Sequence, residues 1–403
     1  PMLSVARALL QRGHRVRVLA DPVLREEVDA SEAEFVAWRR APHRTRTEER
    51  IGVVFRDWEA RTPAEAAARV RDGLICGPAA AFAADCRDEL LRRPADAVVA
   101  DHMLPGTLIG AEAEGVRTVS LATSLLFVPE WGVPAMGLGL TPPKGPVQHA
   151  RCAVLARVVR RMWRQGLPAF NAAREANGLA PFGDPVELIA HWDRVLVLSS
   201  RALEFPTFSP PPHVRLVGAR LDDPSWAEPW SPPPGDAPLV LVALSSTFME
   251  QAAVLERVAA ALGTLPVRGV VTTGPAVDPA AIRAPENVQV VRSAPHGEVL
   301  RHAAAVVTHA GHGTAVKTLA AGVPMVALPL GRDQLDIAQR VARAGTGLRL
   351  DARATPERIA QALRAVLTDP RFTDAARAAA HAMAAERRED RAVAELEALV
   401  RSG

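Results

Sequence analysis

The 403-residue sequence predicts an α/β protein of two doubly wound domains that face each other across a cleft. Three observations predict this fold. Short apolar runs alternate with amphipathic segments, which is typical of parallel sheets whose strands are joined by helices. The alternation stops at a proline-rich stretch and then restarts. The length suits two or three domains, because one domain has about 150 residues.

The first half of the chain begins within a predicted helix, because apolar residues recur at helical spacing up to Gly13. Helices of α/β domains follow strands, so we expect a first strand and its loop upstream of Pro1. Apolar runs predict strands at 14–20, 35–38, 96–100, 116–121 and 194–199. Helical spacing predicts helices at 79–92, 106–114 and 148–178. These elements make up a predicted N-terminal domain, residues 1–205.

A predicted linker, residues 206–237, separates the two halves. Ten prolines lie between positions 205 and 238, and proline lacks the backbone donor that a helix or a central strand needs. A short apolar run at 214–217 interrupts the linker as a strand. The alternation restarts in a C-terminal domain, residues 238–380, with predicted strands at 239–244, 267–272, 288–291, 305–308 and 325–328. We expect residues 381–403 to form a helix that packs back on the N-terminal domain.

Composition and charge exclude several classes of protein. Lys and Arg total 48 and Asp and Glu total 45, with the signs interleaved, so no basic surface for a nucleic acid is indicated. No apolar stretch approaches the roughly 20 residues of a membrane-spanning helix. The cysteines, Cys76, Cys86 and Cys152, are too widely spaced for a zinc site or a disulfide framework, which favours a reducing, cytoplasmic environment.

The strongest local signal is the glycine-rich turn at 308–314 (THAGHGT), which follows an apolar run and begins a helix. The start of a helix offers unpaired N–H groups and the positive end of the helix dipole. Glycines let the backbone approach an anion closely, so the turn predicts a phosphate or diphosphate site. An ordinary tight turn between strand and helix is the alternative. The turn has neither the glycine spacing of a dinucleotide-binding fingerprint nor the lysine of a Walker loop.

Two further polar clusters follow apolar runs of the same half. Residues 245–247 (SST) place three hydroxyls at the carboxyl end of a strand, where the ligands of an open parallel sheet collect. Asp333 and Gln334 offer a carboxylate and an amide side by side, which suits the vicinal hydroxyls of a sugar. For both clusters a helix N-cap is the alternative. Asp336 and Gln339 are predicted to face solvent.

Residues 308–334 (THAGHGTAVKTLAAGVPMVALPLGRDQ) resemble the donor signature of glycosyltransferase family one. That family includes plant glucosyltransferases and bacterial macrolide, enediyne and glycopeptide glycosyltransferases. Residues 293–296 (SAPH) are similar to the upstream part of the signature, and residues 1–16 are similar to the family's first helix. The resemblance is sharp over 293–340 and loose over 20–95. It implies the GT-B fold, in which two Rossmann-like domains face each other across a cleft.

The resemblance also implies roles for the donor residues. His309 would contact a phosphate of a nucleoside-diphosphate sugar, and Ser246 and Thr247 would face the same group. Asp333 and Gln334 would hold the sugar hydroxyls. The remaining donor contacts would come from the residues that flank the base, Ala294 and His296, and from those that cradle the diphosphate, Gly311, His312, Gly313 and Thr314.

The implied catalysis is proton abstraction from an acceptor hydroxyl as it attacks the anomeric carbon. Members of the family use a His that is polarised by an Asp. Asp101 matches the Asp position, with a turn cap as the alternative, and the His is expected just upstream of Pro1. His102, next to Asp101, is the reserve candidate for the base. His14 matches the position after the first helix and is not assigned to the base.

Two departures from the family signature bear on the donor. Lys317 stands where plant members have a Glu that holds the ribose hydroxyls, and Ser293 replaces their base-stacking Trp. A deoxyribose has no 2′-hydroxyl, so the loss of the carboxylate favours a dTDP-sugar over a UDP-sugar. The acceptor is expected against the N-terminal domain, in a loop-rich segment that suits a flat hydrophobic molecule. The candidates, with ordinary core or loop positions as the alternative, are Thr123, Ser124, Phe127, Trp131 and Met136.

The sequence therefore predicts an inverting glycosyltransferase that moves a sugar, a deoxysugar included, from a dTDP- or UDP-sugar to a hydroxyl of a hydrophobic natural product. It predicts no cofactor and no metal ion, because no acidic pair lies near the diphosphate site, and the helix dipole with His309 can neutralise the leaving group. Two alternatives stay open: a nucleotide-sugar epimerase of the same fold and a non-catalytic nucleotide-sugar-binding helper protein. The sugar, the acceptor, the linkage (O-, N- or C-) and the oligomeric state, a homodimer included, also stay open.

Overall fold

A computed structural model describes residues 1–45, 56–388 and 390–402 of the chain. Residues 46–55 of the predicted N-terminal domain, and residues 389 and 403 of the predicted final helix, lie outside the described residues. The described strands are β1 (Arg17–Ala20), β2 (Glu34–Ala37), β3 (Ala97–Asp101), β4 (Arg117–Ala122), β5 (Arg194–Val197), β6 (Val214–Leu216), β7 (Leu239–Ala243), β8 (Arg268–Thr272), β9 (Val288–Val291), β10 (Ala303–Thr308), β11 (Met325–Ala327) and β12 (Gly347–Arg349). The described α-helices are α1 (Met2–Gln11), α2 (Arg25–Asp29), α3 (Pro63–Val70), α4 (Ala79–Arg92), α5 (Pro105–Ala113), α6 (Pro146–Arg164), α7 (Leu167–Ala176), α8 (Glu187–Ala190), α9 (Ala252–Leu262), α10 (His296–Leu300), α11 (His312–Ala320), α12 (Gln334–Arg343), α13 (Pro356–Thr368), α14 (Pro370–Glu386) and α15 (Arg391–Arg401).

The C-terminal sheet has six parallel strands in the order β12-β11-β10-β7-β8-β9. All five residues of the central strand β7 are buried, as expected for a parallel strand with both faces covered. The chain starts at β7, runs outward to β9 and then returns to β10 on the other side of β7. Between β7 and β10 lies the topological switch point, where the loops after the two strands diverge and leave a crevice for a ligand. This order confirms the predicted doubly wound fold.

The N-terminal half contains a four-stranded parallel sheet in the order β3-β4-β5-β6 and a separate parallel pair, β1 and β2. Strand β6 comes from the proline-rich stretch, yet it pairs with β5 and aligns Val214 with Val195. This part of the predicted linker therefore belongs to the first sheet. Within the described ranges, no helix is both long enough and apolar enough to cross a membrane.

The last helix, α15, lies against the N-terminal sheet although it follows the C-terminal domain in the chain. Its residues Leu396 and Leu399 share a hydrophobic cluster with Val5 of α1 and with Leu121 and Leu196 of the sheet. The C-terminal end of the chain therefore contributes to the core of the first domain.

Three elements differ from the sequence predictions. The region 148–178 forms two helices, α6 and α7, which are separated at Gly166, where a Cβ atom would lie 2.7 Å from Sγ of Cys76. Only glycine permits that close approach. The final segment is also divided, because α14 ends at Glu386 and α15 begins at Arg391. Strand β12 was not predicted, since three residues that include a glycine are too few to show an apolar alternation.

Replacing Leu396 with Ala should destabilise the protein by about 2–4 kcal/mol, because removing this buried side chain leaves a cavity between α15 and the first sheet. The change should lower the midpoint of urea unfolding followed by circular dichroism. Val400 on the same helix is 39% exposed, against 5% for Leu396, so Val400→Ala is a matched control that should shift the midpoint little. Equal effects of the two substitutions would contradict this packing of α15.

Candidate functional site

The carboxyl ends of four of five neighbouring strands of the C-terminal sheet carry the predicted donor residues. Strand β7 leads into 245–247, β9 into 293–296, β10 into 309–314 and β11 into 331–334, and β8 ends at Thr272. The parallel order of these strands brings all five ends to one edge of the sheet. The predicted phosphate, base and sugar contacts therefore lie along one edge, with the switch point between β7 and β10 among them.

Helix α11 begins in the glycine-rich turn, and no side chain of the described residues caps its N-terminus. Its N-cap residue is Gly311, and Ala310 before it has a left-handed φ of 62°, which is uncommon for a residue with a Cβ atom. A Cβ atom on Gly311 would lie 2.4 Å from Nε2 of His309. The glycine therefore lets the imidazole lie over the turn, and the first N–H groups of the helix stay available to an anion.

His309 is nearly buried beside this helix end, with 8% of its surface exposed. Burial lowers the pKa of its imidazole to about 4, although the negative charge of Asp333 acts in the opposite direction. The ring is therefore neutral at pH 7. A neutral ring can donate a hydrogen bond to a phosphate but adds no charge of its own, and the expectation that His309 helps to neutralise a leaving diphosphate stays a prediction. The positive potential of the turn comes from the helix N-terminus.

The side chain of His312 contacts the N-terminal domain. Its Nε2 lies 2.9 Å from Oγ of Ser199, two residues after β5. Burial lowers the pKa of this imidazole to about 4 as well. Of the groups predicted to cradle a diphosphate, His312 therefore offers its backbone N–H, while its imidazole joins the two domains. Gly313 is exposed and Thr314 is half-buried in the same helical turn.

The loop after β7 is held partly by its own side chains. Oγ of Ser245 lies 3.0 Å from Oγ1 of Thr247 and accepts a hydrogen bond from the Thr247 N–H at 3.2 Å. The side-chain amide of Gln251 donates to the carbonyl oxygen of Ser245 at 2.9 Å. Ser245 is buried, Ser246 is exposed and Thr247 is half-buried. Ser245 therefore shapes the loop, and the hydroxyls of Ser246 and Thr247 are the ones that a ligand can reach.

Asp333 lies between the two domains. Its Oδ2 accepts a hydrogen bond from Oγ of Ser124 at 2.6 Å, which joins a predicted sugar contact to a predicted acceptor contact. Gln334 differs, because it is 3% exposed and its Oε1 accepts hydrogen bonds from two backbone N–H groups of its own loop at 2.7 and 3.1 Å. The carbonyl of Gln334 therefore shapes the loop, and its amide group, 3.3 Å from Sδ of Met249, is the part left for a sugar.

The prediction that Asp336 faces solvent is wrong. Asp336 is 1% exposed, and its carboxylate accepts hydrogen bonds from the N–H groups of Gly137 and Gly139 at 2.6 and 2.9 Å. Gln339, for which the same was predicted, is half-buried and accepts a hydrogen bond from Arg349 at 3.0 Å. Both glycines belong to the loop between β4 and α6, so α12 presents Asp336 to the other domain. Burial raises the pKa of Asp336 to about 6.

The predicted base-binding segment is in contact with the proline-rich stretch. Ala294 is buried, and Nε2 of His296 lies 3.1 Å from Oγ1 of Thr272. Burial lowers the pKa of His296 to about 4. Ser293 accepts a hydrogen bond from the N–H of Glu228 at 3.1 Å. The predicted linker therefore contributes to the surroundings of the predicted base-binding segment.

Lys317 of α11 is paired with a carboxylate of the same proline-rich stretch. Its Nζ lies 2.6 Å from Oδ1 of Asp223, and Oδ2 of Asp223 accepts a hydrogen bond from the N–H of Gly297 at 2.9 Å. The positive charge of Lys317 is therefore balanced within the protein.

Asp101 ends β3 and lies beside the imidazole of His102, with 3.2 Å between Oδ1 and Nδ1. Burial acts to raise the pKa of Asp101, but interactions with His102 and the N–H of Met103 lower it more, so the net shift is downward. An ionised Asp can orient and polarise a neighbouring imidazole. His14 instead lies 3.1 Å from Glu397 of α15, outside this group.

The predicted acceptor residues divide into two kinds. Trp131 needs correction, because it is 7% exposed and its ring packs edge-on against Phe208 in the core of the N-terminal domain. The ring of Phe127 lies 5.3 Å from the guanidinium carbon of Arg340 in α12, and Met136 is 37% exposed. Thr123, Ser124, Phe127 and Met136 remain acceptor candidates, because they lie in the segment after β4 that meets or adjoins the C-terminal domain.

Sequence reasoning missed Arg332 and Asp57, which bridge the two domains. Arg332 donates from Nε and Nη2 to the two carboxylate oxygens of Asp57 at 2.7 and 2.9 Å. It also donates from Nη1 to Oγ1 of Thr247 at 3.2 Å. Its position next to Asp333 in the donor signature was the signal that could have identified it. Asp57 lies 275 residues away in the sequence and gave no comparable signal.

Comparison with known proteins gives a family match and several relatives. Residues 256–399 match the family model described as the erythromycin biosynthesis protein CIII-like, C-terminal domain. The chain is 30% identical over 390 residues to 4′-demethylrebeccamycin synthase of Lentzea aerocolonigenes, covering 92% of this chain and 89% of that protein. It is 29% identical over 394 residues to the oleandomycin glycosyltransferase of Streptomyces antibioticus, covering 92% of this chain and 80% of that protein.

Several solved structures have the same fold. The glycotransferase of kitacinnamycin has a TM-score of 0.76 and 23% identity, covering 99% of this chain and 95% of that chain. The calicheamicin glycosyltransferase CalG4 has a TM-score of 0.72 and 22% identity, covering 99% and 94%. The glycosyltransferase VinC in complex with dTDP has a TM-score of 0.69 and 20% identity, covering 100% and 96%. At these identities the likeness shows the fold alone, and it confirms the predicted GT-B arrangement.

The buried carboxyl group of Asp336 should make the stability of the protein depend on pH. Its raised pKa means that the folded protein keeps a proton that the unfolded chain has released between about pH 4 and pH 6. The contribution of Asp336 to the free energy of unfolding should therefore fall by roughly 2–3 kcal/mol as the pH rises through this range, while the lowered pKa values of His296, His309 and His312 act in the opposite direction. Asp336→Asn cannot ionise and should lose this part of the pH dependence.

Urea unfolding of the wild type and of Asp336→Asn at about pH 4 and pH 7 measures this effect. Asp374→Asn, at an exposed position of α14, is the control and should keep the pH dependence of the wild type. An Asp336→Asn variant with the same pH dependence as the wild type would refute the effect.

Proposed function

This chain belongs to the glycosyltransferases of antibiotic and natural-product biosynthesis, and on that basis we propose that it transfers a sugar from a dTDP- or UDP-sugar, with dTDP preferred, to a hydroxyl of a hydrophobic natural product. The observation that carries the proposal is the N-terminus of α11, which no described side chain caps, at the switch point of the C-terminal sheet. Membership of the family makes the chain a glycosyltransferase and sets aside the epimerase and the helper protein.

The diphosphate of the donor fits the N-terminus of α11. The first N–H groups of a helix have no partner within it, and the helix dipole adds about half a positive charge. Apart from the residues next to Gly313 and the backbone of its own helix, no described atom lies within 4 Å of where a Cβ atom on Gly313 would be, which gives phosphate oxygens access to the backbone. The neutral imidazole of His309 can donate one further hydrogen bond. VinC, a protein of the same fold, is solved with dTDP, which supports a nucleoside diphosphate as the ligand.

The preference for dTDP depends on Lys317. At this position of α11 there is no carboxylate for a ribose 2′-hydroxyl, and the lysine is itself paired with Asp223 at 2.6 Å. A deoxyribose has no 2′-hydroxyl that needs a hydrogen-bond partner, so the missing carboxylate should weaken the binding of a dTDP-sugar less than that of a UDP-sugar.

The acceptor would bind against the N-terminal domain. Ser124, which follows β4, donates a hydrogen bond to Asp333, so the segment after β4 meets the sugar end of the donor site. Phe127 is half-buried and Met136 is exposed in the same segment, and both offer apolar surface. Such a surface suits a hydrophobic molecule whose reactive hydroxyl reaches the sugar.

The mechanism we propose is a single displacement with inversion. The acceptor oxygen attacks the anomeric carbon from the face opposite the diphosphate, and a base takes the hydroxyl proton. The bond between the anomeric carbon and the diphosphate oxygen breaks, and its electron pair leaves with the diphosphate, where the N–H groups of α11 stabilise it. Asp101 would hold and polarise the base, a His expected just upstream of Pro1. His102, 3.2 Å from Asp101, is the reserve candidate.

We also propose that the transfer requires neither a cofactor nor a metal ion. In residues 1–45, 56–388 and 390–402, no three His, Cys, Asp or Glu side chains are grouped to hold a metal. The N-terminus of α11 supplies the stabilisation of the diphosphate that a metal ion gives in other transferases.

Calorimetric titration of the full-length protein should detect binding of dTDP, weaker binding of UDP, and none of NAD. His309→Ala should weaken dTDP binding about 5- to 100-fold, because it removes a buried hydrogen-bond donor worth about 1–3 kcal/mol. His381→Ala, at an exposed position of α14, is the matched control and should bind dTDP like the wild type. If the wild type binds neither diphosphate, or binds NAD, the proposed donor site is wrong.

Asp101→Asn should lower kcat about 10²- to 10⁴-fold, because the polarising carboxylate is lost from the base. Its affinity for dTDP should not change, since we place Asp101 on the acceptor side. Steady-state kinetics with a dTDP-sugar and a panel of hydrophobic acceptors measures kcat, and calorimetry measures affinity. Asp96→Asn, at an exposed position directly before β3, is the control.

The base can be identified in the same assay. A loss of kcat in His102→Gln as large as that in Asp101→Asn would assign the base to His102, and a small loss would favour the upstream His. A wild-type kcat in Asp101→Asn would exclude the proposed role of Asp101.

A further inference from the structure

Arg332 lies in the donor crevice in an unusual backbone conformation. It stands between Gly331 and Asp333 in the loop after β11, and its φ of 56° is left-handed, which is uncommon for a residue with a side chain. Glycine would adopt this conformation without strain. A strained backbone that persists at a binding crevice points to a functional constraint on the side chain.

The guanidinium of Arg332 is held by hydrogen bonds that occupy only some of its N–H groups. Of its five N–H groups, those on Nε and Nη2 engage Asp57, and one on Nη1 engages Thr247. One N–H on Nη1 and one on Nη2 remain, and two terminal nitrogens of this kind match two phosphate oxygens. The side chain of Arg332 is 31% exposed and that of Asp57 is 7% exposed, so a ligand meets the cation rather than the carboxylate.

The other described groups near the crevice supply little free positive charge for a diphosphate. His309 is neutral at pH 7, because its pKa is lowered to about 4, and Lys317 is paired with Asp223 at 2.6 Å. The N-terminus of α11 contributes only about half a positive charge. The positive charge of Arg332 is close enough to contribute to the lowered pKa of His309, so it reaches the same turn.

We propose that Arg332 binds the diphosphate of the donor and that Asp57, from the other domain, holds the guanidinium in position. The inference rests on the proposed function and adds to it a residue outside the glycine-rich turn that binds the diphosphate. Thr247, in the loop after β7, is uncharged and accepts a hydrogen bond from the guanidinium. Arg332 follows β11 and α11 follows β10, so the two would approach the diphosphate from the ends of different strands.

Calorimetry with dTDP and thymidine tests the proposal, because the two ligands share base and sugar and differ in the diphosphate. Arg332→Gln should weaken dTDP binding about 10- to 100-fold, since it removes charge-assisted hydrogen bonds, and should change thymidine binding less than about twofold. Arg332→Lys keeps the charge but lacks the planar guanidinium, so its dTDP affinity should lie between those of the wild type and Arg332→Gln. Arg371→Gln, on the surface of α14, is the control and should bind dTDP like the wild type.

Two further variants separate binding from folding and from domain contact. Arg332→Gly suits the left-handed φ, so it should fold and still lose dTDP affinity like Arg332→Gln. Asp57→Asn removes the ion pair and leaves the arginine less firmly held, so it should weaken dTDP binding by about two- to threefold, well short of the loss in Arg332→Gln. If Asp57→Asn loses as much affinity as Arg332→Gln, Arg332 acts only through the domain contact and the proposal is overturned.

The outcomes distinguish this inference from the proposed function. If the wild type binds dTDP and Arg332→Gln binds it equally well, the inference fails and the proposed function stands. If the wild type binds neither dTDP nor UDP, the proposed function fails, and the inference fails with it.

Discussion

The site depends on the contact between helix α12 and the end of the N-terminal domain. Arg340 of α12 lies 2.7 Å from Glu204, and the two side chains are only 2% and 0% exposed. The guanidinium also lies 4.2 Å from the ring of Phe205. Burial raises the pKa of Glu204, although the charge of Arg340 opposes the shift. Removing one partner of such a pair leaves a buried charge uncompensated, which costs about 3–5 kcal/mol, so the pair fixes how the two domains meet.

The same face of α12 forms a row of contacts across the cleft. Asp333, Asp336 and Arg340 are spaced by three and four residues, which places them on one side of a helix. They contact, in order, Ser124, the loop that contains Gly137, and Glu204. The first member of the row is the predicted sugar contact. A buried ion pair two turns away therefore holds the predicted sugar contact against the predicted acceptor segment.

The sequence predicted the strands and their ends well, and it predicted the interdomain side chains poorly. An apolar run such as that of β7 identifies a buried parallel strand, and polar residues directly after it identify the edge where ligands bind. The burial of Asp336 depends on a loop 199 residues earlier, which no local pattern contains. The prediction for Trp131 was wrong for a different reason. An aromatic residue in a loop-rich segment can belong to a core or to a binding site, and only its packing against the distant Phe208 places it in the core.

The charge state of the histidines could not be predicted either, because it depends on burial by both domains. His309 and His312 both have a pKa of about 4, so neither supplies a charge at neutral pH. The N–H groups of α11 do not titrate and are already in position, so in the proposed mechanism they would need no rearrangement when charge develops on the leaving diphosphate. A charged imidazole at this nearly buried position would lose its hydration, and that desolvation cost would offset part of its attraction to a diphosphate. In the proposed site, Gly311 and Gly313 would therefore matter as backbone positions, because the absence of a Cβ atom lets a diphosphate approach those N–H groups closely.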